Sequence, residues 1–411
     1  MVSRGLARAG RDDLTETAEL LISEVVTNAL VHAGTPIDVA FSVTAGGLRV
    51  DVGDGSPHLP LRRSYGATAG TGRGLMLLEK MVDDWGVVPS RHGKTVWFSL
   101  VADRSQGGPA STGTASALAD RGDETVAVQL LNVPLLLHAA WTQHAESLLR
   151  EYLLSRLDSE PGADPVHSSA DPIQEHAEAS DALALLAEHI PAPDLGEDPD
   201  RLMGAATEPN VSCPRVDVSI PVRSLPHFHT LNRTLEEAFA IAESGTFLTA
   251  PAQPELRLLR AWICHQIFDQ GTGMAPTPWS AEDQPPPRPP HLLEWDHRPV
   301  TESHEAVIAS DDTDEIIAAS RHALDLLGYD DEAQLVGERI VAIIPVRYRQ
   351  AHLAGFTLHF LTGRSPLLGR PVIVPVKRRD GTEAATELTV RAQRVPNGRS
   401  VFLAELRHPT G

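Results

Sequence analysis

Three short polar motifs lie in a fixed order between residues 24 and 75, and each one adjoins an apolar stretch. Residues 24–33 read EVVTNALVHA, residues 53–57 read GDGSP, and residues 70–75 read GTGRGL. One glycine-rich loop is common in unrelated folds, whereas three motifs in one order require the elements that carry them to come together. This ordered set constrains the fold of the first hundred residues more than any other feature.

The first motif lies on a predicted amphipathic helix over residues 13–33, where apolar residues recur at helical spacing. Glu24 and Asn28 are four residues apart and therefore share one polar stripe beside the apolar face. An acid and an amide oxygen so placed suit a hard metal ion and a water or hydroxyl group near phosphates. A solvated helix face would give the same pattern.

The second motif ends a predicted β-hairpin formed by residues 37–44 and 48–52. Strand alternation places Asp54 on the inward apolar face and Asp51 on the opposite face. Because burying an unpaired carboxylate is costly, Asp54 needs a partner, which the amino group of an adenine base would supply. Asp51 could instead begin an Asp-x-Gly-x-Gly motif, but strand alternation points its side chain outward. We therefore select Asp54.

The third motif is a glycine loop that leads into a predicted helix over residues 75–85. Gly70, Gly72 and Gly74 let the backbone approach a phosphate closely, and free amides at a helix start attract anions. Arg73 adds positive charge. A flexible surface loop is the alternative interpretation.

Over residues 14–101 the motifs resemble the GHKL superfamily of ATPases and kinases, and most closely its anti-sigma-factor serine kinase branch. The resemblance implies an α/β sandwich in which Glu24 is the general base or water-positioning acid. Asn28 would be the magnesium ligand, Asp54 the adenine contact, and the three glycines the lid over the phosphates of ATP. Thr95 begins a predicted strand, and we expect its hydroxyl near the phosphates.

The sequence departs from the family pattern in two places. Ser56 stands where the family has a second glycine after the adenine aspartate, and Pro57 follows it, which weakens the expected contact with the base. Few residues precede the first motif helix, where family members carry an extra strand and helix. We therefore expect either a truncated domain or an upstream start.

Composition excludes several classes of protein. The net charge of −20 disfavours direct binding of nucleic acid or anionic membranes. The sequence contains neither a run of apolar residues long enough to span a membrane nor a secretory signal. Cys213 and Cys264 are far apart, which favours a reducing compartment over a disulfide scaffold or a cysteine zinc site. We expect a cytoplasmic protein.

Two linkers divide the chain. Residues 103–123 are small, polar and glycine-rich, which is typical of a flexible linker, and residues 281–297 form a stiffer proline-rich one. They separate the ATP domain, residues 1–102, from a mainly helical region, residues 124–280, and from a C-terminal domain, residues 298–408.

The middle region has no assigned role and no visible internal repeat. Its predicted elements are strands at residues 126–132 and 216–222 and helices at residues 134–157, 173–190, 230–243 and 254–269. His144 with Glu146 nearby is a candidate phosphoacceptor. Histidine kinases, however, place that helix before the ATP domain, so we favour structural or surface roles for the histidines here.

The last third, residues 302–407, resembles a PAS sensor domain. The elements that carry this resemblance are helices at residues 318–327 and through Arg349 and His352, and strands at residues 372–379, 383–391 and 400–407. A small dimerisation module without a ligand is the alternative. This third contains no cysteine, which excludes the cysteinyl-flavin photochemistry of light-sensing relatives.

The segment RQAHLAGF, residues 349–356, raises a haem hypothesis. His352 looks like the proximal haem ligand of oxygen-sensing PAS histidine kinases, with Phe356, Leu358 and Ile373 among the apolar lining. The family's distal arginine would fall at Val372, which cannot bond bound oxygen. We therefore favour a structural His352 at the helix surface over a haem ligand.

The expected fold class is α+β multidomain: a GHKL α/β sandwich, a mainly helical middle region and a PAS domain. The expected function is a signalling regulator that binds Mg-ATP and phosphorylates a serine or threonine of a partner protein, with Glu24 activating the hydroxyl. The partner would be an anti-sigma antagonist or a sigma factor, and a homodimer through the PAS or ATP domain is left open. The alternatives are a catalytically silent, ATP-gated binding module and an atypical histidine kinase.

Overall fold

The computed structural model has an α+β fold in three units. It describes residues 2–33, 37–44, 47–55, 81–90, 93–101, 124–158, 171–193, 211–244, 246–250, 253–280, 295–363, 367–395 and 400–409. Within those ranges, no helix combines the length and apolar character needed to cross a membrane.

The N-terminal unit is a four-stranded antiparallel sheet covered by a helix. Its elements are α1 (Val2–Arg8), α2 (Thr15–Ala33), β1 (Asp38–Thr44), β2 (Gly47–Asp54), β3 (Asp84–Ser90) and β4 (Gly93–Val101). The strand order is β1-β2-β4-β3. The predicted hairpin and motif helix are both present, and α2 packs through Leu21, Val25 and Ala29 onto the sheet core around Val50 and Phe98.

The sequence prediction of a helix reaching residue 85 was wrong at its end. Trp85 lies in β3, where it pairs with Phe98 of β4, and Val87 pairs with Val96. These alternate residues face the same core, so burial on the sheet outweighs any helical preference of the segment.

In the residues that the structure describes, the middle unit contains two strands, each followed by two helices. Its elements are β5 (Thr125–Pro134), α3 (Leu135–Asp158), α4 (Pro172–His189), β6 (Ser212–Pro221), α5 (Leu225–Glu243) and α6 (Pro254–Gly271). The two strands pair antiparallel, and all six elements contribute to one apolar core.

The C-terminal unit is a five-stranded antiparallel sheet with helices on it. Its elements are α7 (Arg298–Thr301), β7 (Ala306–Asp311), β8 (Ile316–Ala319), α8 (Arg321–Leu327), α9 (Val346–Thr362), β9 (Val372–Lys377), β10 (Glu383–Arg394) and β11 (Ser400–Arg407). The strand order is β8-β7-β11-β10-β9. The three predicted strands are present. The helix predicted over residues 318–327 begins later, at Arg321, because Ser320 caps α8 by accepting a hydrogen bond from the Ala323 amide. Ala318 lies in β8 instead.

The middle unit contacts both of its neighbours. Helix α2 of the N-terminal unit packs against α4. Helix α9 of the C-terminal unit packs against α3 through a buried cluster formed by Leu136, Ala140, Ala351, Ala354 and Leu358. The alanines on both helices allow this close approach.

His144, the candidate phosphoacceptor, is buried in α3. Its Nε2 lies 2.7 Å from the Ala250 carbonyl oxygen, and burial lowers its pKa, with that hydrogen bond partly offsetting the effect. A neutral imidazole donating to Ala250 satisfies this geometry. His144 is therefore not an accessible phosphoacceptor in this structure.

We predict that His144 makes the stability of the protein fall in acid. Because its folded pKa is lowered, the unfolded state binds the proton first as the pH decreases. Its contribution is therefore complete above the ordinary pKa of about 6.5 and declines below it. In thermal unfolding between pH 7 and pH 5, His144→Gln should lose less stability than the wild type, since the glutamine amide can still donate to Ala250 but does not titrate.

The matched control is His265→Gln, on the exposed side of α6, which should keep the wild-type slope of melting temperature against pH. A wild-type slope in His144→Gln as well would contradict the assignment.

Candidate functional site

Glu24, the acid of the first motif, lies at the edge of the apolar face through which α2 packs on the sheet. Leu21, Val25 and Ala29 are buried, and Glu24, one residue before Val25, is half-buried. Asn28 follows one turn later in α2, and its side chain lies outside the described residues. The helix therefore places Glu24 beside the apolar layer between α2 and the sheet.

Asp54 lies at the end of β2 on that same layer. Its side chain is only 1% exposed, and its Oδ1 lies 2.9 Å from Nζ of Lys94, whose side chain is 8% exposed. Val50 and Val52 are buried on the same face of the strand. The carboxylate is thus buried with a cation, which avoids the large cost of an uncompensated charge.

Asp51 occupies a different environment on the outer face of β2. It accepts a hydrogen bond from Arg49 at 2.9 Å and is half-buried. The Arg49 guanidinium also lies 4.1 Å from the centre of the Trp97 ring. The predicted difference in direction between Asp54 and Asp51 agrees with the strand register.

Thr95 lies beside Gly53 in the sheet, and its expected place near the phosphates remains a prediction. The register pairs Asp54 with Lys94 and Gly53 with Thr95, so Thr95 lies on the face opposite Asp54. A Cβ on Gly53 would lie 3.6 Å from the Thr95 hydroxyl, which confirms the shared outer face. The residue of β4 that meets Asp54 is Lys94, and sequence reasoning missed it.

The signal for Lys94 was present in the sequence. Val96, Phe98 and Leu100 are the buried residues of β4, and counting back by two along the strand reaches Lys94.

Gly93 keeps the two strands close beside this ion pair. Its φ is +149°, and a Cβ there would lie 1.8 Å from the Asp54 carbonyl oxygen. Any side chain would force β2 and β4 apart at Asp54. The close approach therefore requires glycine at this position.

The predicted phosphate lid lies outside the described residues. Gly70, Gly72, Arg73 and Gly74 fall in the gap between residues 55 and 81. Their role at the phosphates and the magnesium ligation by Asn28 remain predictions.

The C-terminal unit contains an apolar cavity of about 220 Å³ between α9 and the sheet. Its lining is mainly aliphatic and aromatic, and the polar groups at its wall are those of Ser310, Asp314, Tyr348, His352 and His359. An engineered apolar cavity of about 150 Å³ holds benzene. The cavity therefore suits a molecule modestly larger than benzene.

Haem does not fit this cavity. A porphyrin is far larger than benzene, and the His352 Nε2 that would bind iron lies 2.9 Å from Asp314 Oδ1. Phe356 lines the cavity as expected, but Leu358 is buried against α3 and Ile373 is 64% exposed.

A chain of polar groups leads from the cavity to the middle unit. Asp314, which is 1% exposed, bonds His352 on one side and lies 3.5 Å from Arg339 on the other. Arg339 also forms an ion pair with Glu255 and donates to Gln253 at 2.6 Å, at the start of α6. The wall of the cavity is therefore connected to the middle unit through buried polar contacts.

Comparison with known proteins gives a family match to the N-terminal unit and a relative that is similar to part of the chain. Residues 4–100 match the family model described as a histidine kinase-like ATPase domain. An uncharacterized protein of Azorhizobium caulinodans is 33% identical over 105 residues, which cover 26% of this chain and 14% of that protein.

Solved structures similar to parts of the chain include the PAS domain of an HTR-like protein from Haloarcula marismortui. It has 22% identity and a TM-score of 0.21, covering 27% of this chain and 86% of that one. An RNA-binding light-oxygen-voltage receptor has 14% identity and a TM-score of 0.22, with 47% and 67% covered. Similarity at these scores carries no argument about function, whereas the family match does. The family match therefore supports a GHKL-type ATPase domain at the N-terminus, over residues 4–100.

Proposed function

We propose that the protein is a signalling regulator that binds Mg-ATP and transfers phosphate to a serine or threonine of a partner protein. The observation that carries the proposal is the buried, inward-facing Asp54 at the end of β2 within a domain that matches the ATPase family. Asp54 would accept from the adenine amino group, and Asn28 would hold the metal.

Glu24 would act on the partner's hydroxyl. A half-buried carboxylate at the edge of an apolar layer can take the proton of a hydroxyl group that a partner presents there. The partner fitting this chemistry is a protein with an exposed serine or threonine, and we propose an anti-sigma antagonist, with a sigma factor bound alternately.

A second candidate is an ATP-gated binding module without phosphotransfer. The packing of α2 against α4 favours it, because any movement of α2 on nucleotide binding would reach the middle unit directly. Both candidates need the same nucleotide site and differ only in the role of Glu24.

We assign the input to the C-terminal unit. The cavity borders His352, and the chain from His352 through Asp314 to Arg339 ends on α6. A molecule that bonds His352 would compete with Asp314 and so alter the contact of Arg339 with the middle unit. This is the route by which a PAS-like unit would influence the ATPase domain.

The first prediction concerns nucleotide binding. ADP at a hundredfold excess over its dissociation constant should stabilise the native state by about 2.7 kcal/mol, which raises the melting temperature by several degrees. Asp54→Asn should lose most of this shift because it removes the anionic acceptor. Each variant is compared with its own nucleotide-free form, since Asp54→Asn also leaves Lys94 without its ion pair.

The control is Asp51→Asn on the outer face, which should keep the shift. If Asp54→Asn and Asp51→Asn lose the nucleotide-induced shift in melting temperature equally, the site does not use the inward face of β2. No shift in the wild type would remove the ATP proposal.

The second prediction concerns phosphotransfer. Glu24→Gln should keep nucleotide binding and lose transfer of labelled γ-phosphate to the partner by roughly 10²–10⁴-fold, the usual contribution of a general base. Glu16→Gln, an exposed position on the same helix, should transfer normally. If the wild-type protein binds ATP but transfers no phosphate, and nucleotide changes the amount of partner recovered in a pull-down, the result favours the binding module.

The third prediction concerns the contact between the C-terminal and middle units. Arg339→Met leaves Asp314 and Glu255 without their shared cation, which should cost about 3–5 kcal/mol of stability. Hydrogen exchange of residues 253–260 should rise in the same variant. Arg347→Met, which removes an exposed pair with Glu383, should leave exchange at α6 unchanged, and equal exchange in both variants would argue against the route.

A further inference from the structure

We propose that the cavity of the C-terminal unit binds a small, uncharged aromatic molecule with one hydroxyl group, and that Ser310 forms a hydrogen bond with this hydroxyl. The proposal rests on the input role proposed above for this unit and names the class of molecule that would carry the signal. No motif of the sequence indicates Ser310.

The position of Ser310 in the cavity wall is the first observation. The residue lies in β7, where it is 5% exposed, and it lines the cavity together with Ile308 on the same face of the strand. Its partner in β11 is Phe402, and the partner of Ile308 is Ala404. All four residues contribute to the cavity wall. The serine hydroxyl therefore lies among apolar groups.

The hydroxyl of Ser310 has no hydrogen-bond partner among the residues that the structure describes. A buried hydroxyl without a partner costs free energy, and the large majority of buried polar side-chain atoms in proteins are paired. Alanine would occupy the same place in the strand without this cost. A ligand that forms a hydrogen bond with Ser310 would satisfy the hydroxyl, so the serine indicates a polar group on the ligand.

The rings beside the cavity favour an aromatic ligand. Phe356 and Phe402 line it with their ring centroids 5.4 Å apart, and the His359 ring lies 5.6 Å from that of Phe402. Aromatic rings at such separations attract each other by more than the burial of their area. An aromatic ligand would therefore extend this cluster, whereas a saturated ring of the same size would gain from burial alone.

The lining disfavours a charged ligand. The cavity of about 220 Å³ is mainly aliphatic and aromatic, and moving an ionised group into such surroundings is costly. The Asp314 carboxylate at its wall would repel an anion. Because Asp314 already pairs with His352 and Arg339, a cation would have to displace one of them. The size and the lining together suit a substituted benzene such as 4-methylphenol.

The test measures dissociation constants by calorimetry on the full chain with 4-methylphenol and four matched compounds. Toluene lacks the hydroxyl group, 4-methylcyclohexanol lacks the aromatic ring, and 4-methylbenzoate and 4-methylbenzylamine each carry a charge. The wild type should bind toluene about fivefold more weakly than 4-methylphenol, as expected for one lost hydrogen bond. The saturated alcohol should also bind about fivefold more weakly, and both charged compounds at least about tenfold more weakly.

Ser310→Ala removes the hydroxyl and little volume. This variant should bind 4-methylphenol and toluene with equal affinity, because neither compound can then form the hydrogen bond. Ser400→Ala, in β11 outside the cavity lining, is the matched control and should discriminate as the wild type does.

Several results would overturn the proposal. Equal wild-type binding of 4-methylphenol and toluene, or discrimination that persists in Ser310→Ala, would exclude the hydrogen bond with Ser310. If 4-methylcyclohexanol or a charged compound binds as tightly as 4-methylphenol, or if no compound binds, the proposed class of ligand is wrong. If Ser310→Ala does not fold, the five wild-type dissociation constants still decide.

Hydrogen exchange separates this proposal from the input role on which it rests. Saturating 4-methylphenol should change the exchange of residues 253–260 if the cavity acts on the middle unit through Asp314 and Arg339. Binding with unchanged exchange would support the ligand site and overturn the input route. The ATP proposal is independent of these results, because its own test uses ADP and Asp54→Asn.

Discussion

The burial of one face of the N-terminal sheet under α2 is the interaction on which the nucleotide site depends. Leu21 and Val25 of the helix share a core with Val50 and Phe98 of the sheet. That contact fixes the height of α2, which carries Glu24, above the sheet whose strand β2 ends at Asp54.

Buried charge marks both candidate sites of the chain. Asp54 pairs with Lys94 beside the apolar core of the first unit, and Asp314 pairs with Arg339 beside the cavity of the last. Such pairs contribute little net stability, since desolvation offsets their attraction. Their position matters more than their stability, because a ligand that bonds to one member of the pair would compete with the other member for that bond.

The middle unit is the physical connection between these two sites. It meets the ATPase domain where α4 packs on α2 and the C-terminal unit where α3 packs on α9. The alanine-lined cluster around Ala140 and Ala354 is tight, and closely packed interfaces of this kind transmit strain. A region to which the sequence assigned no function therefore packs against both neighbouring units.

The sequence by itself determined the local elements and the chemistry they carry. Helical spacing located α2 and Glu24, strand alternation gave the inward direction of Asp54, and the turn at residues 45–47 gave the hairpin, because these patterns depend on neighbours along the chain. Only the tertiary structure decided which residues meet. The pairing of β2 with β4 put Lys94, which no motif had indicated, beside Asp54. The contact of Asp314 with His352 and Arg339 joins segments that no periodicity relates, because contacts between distant segments are set by how the elements pack.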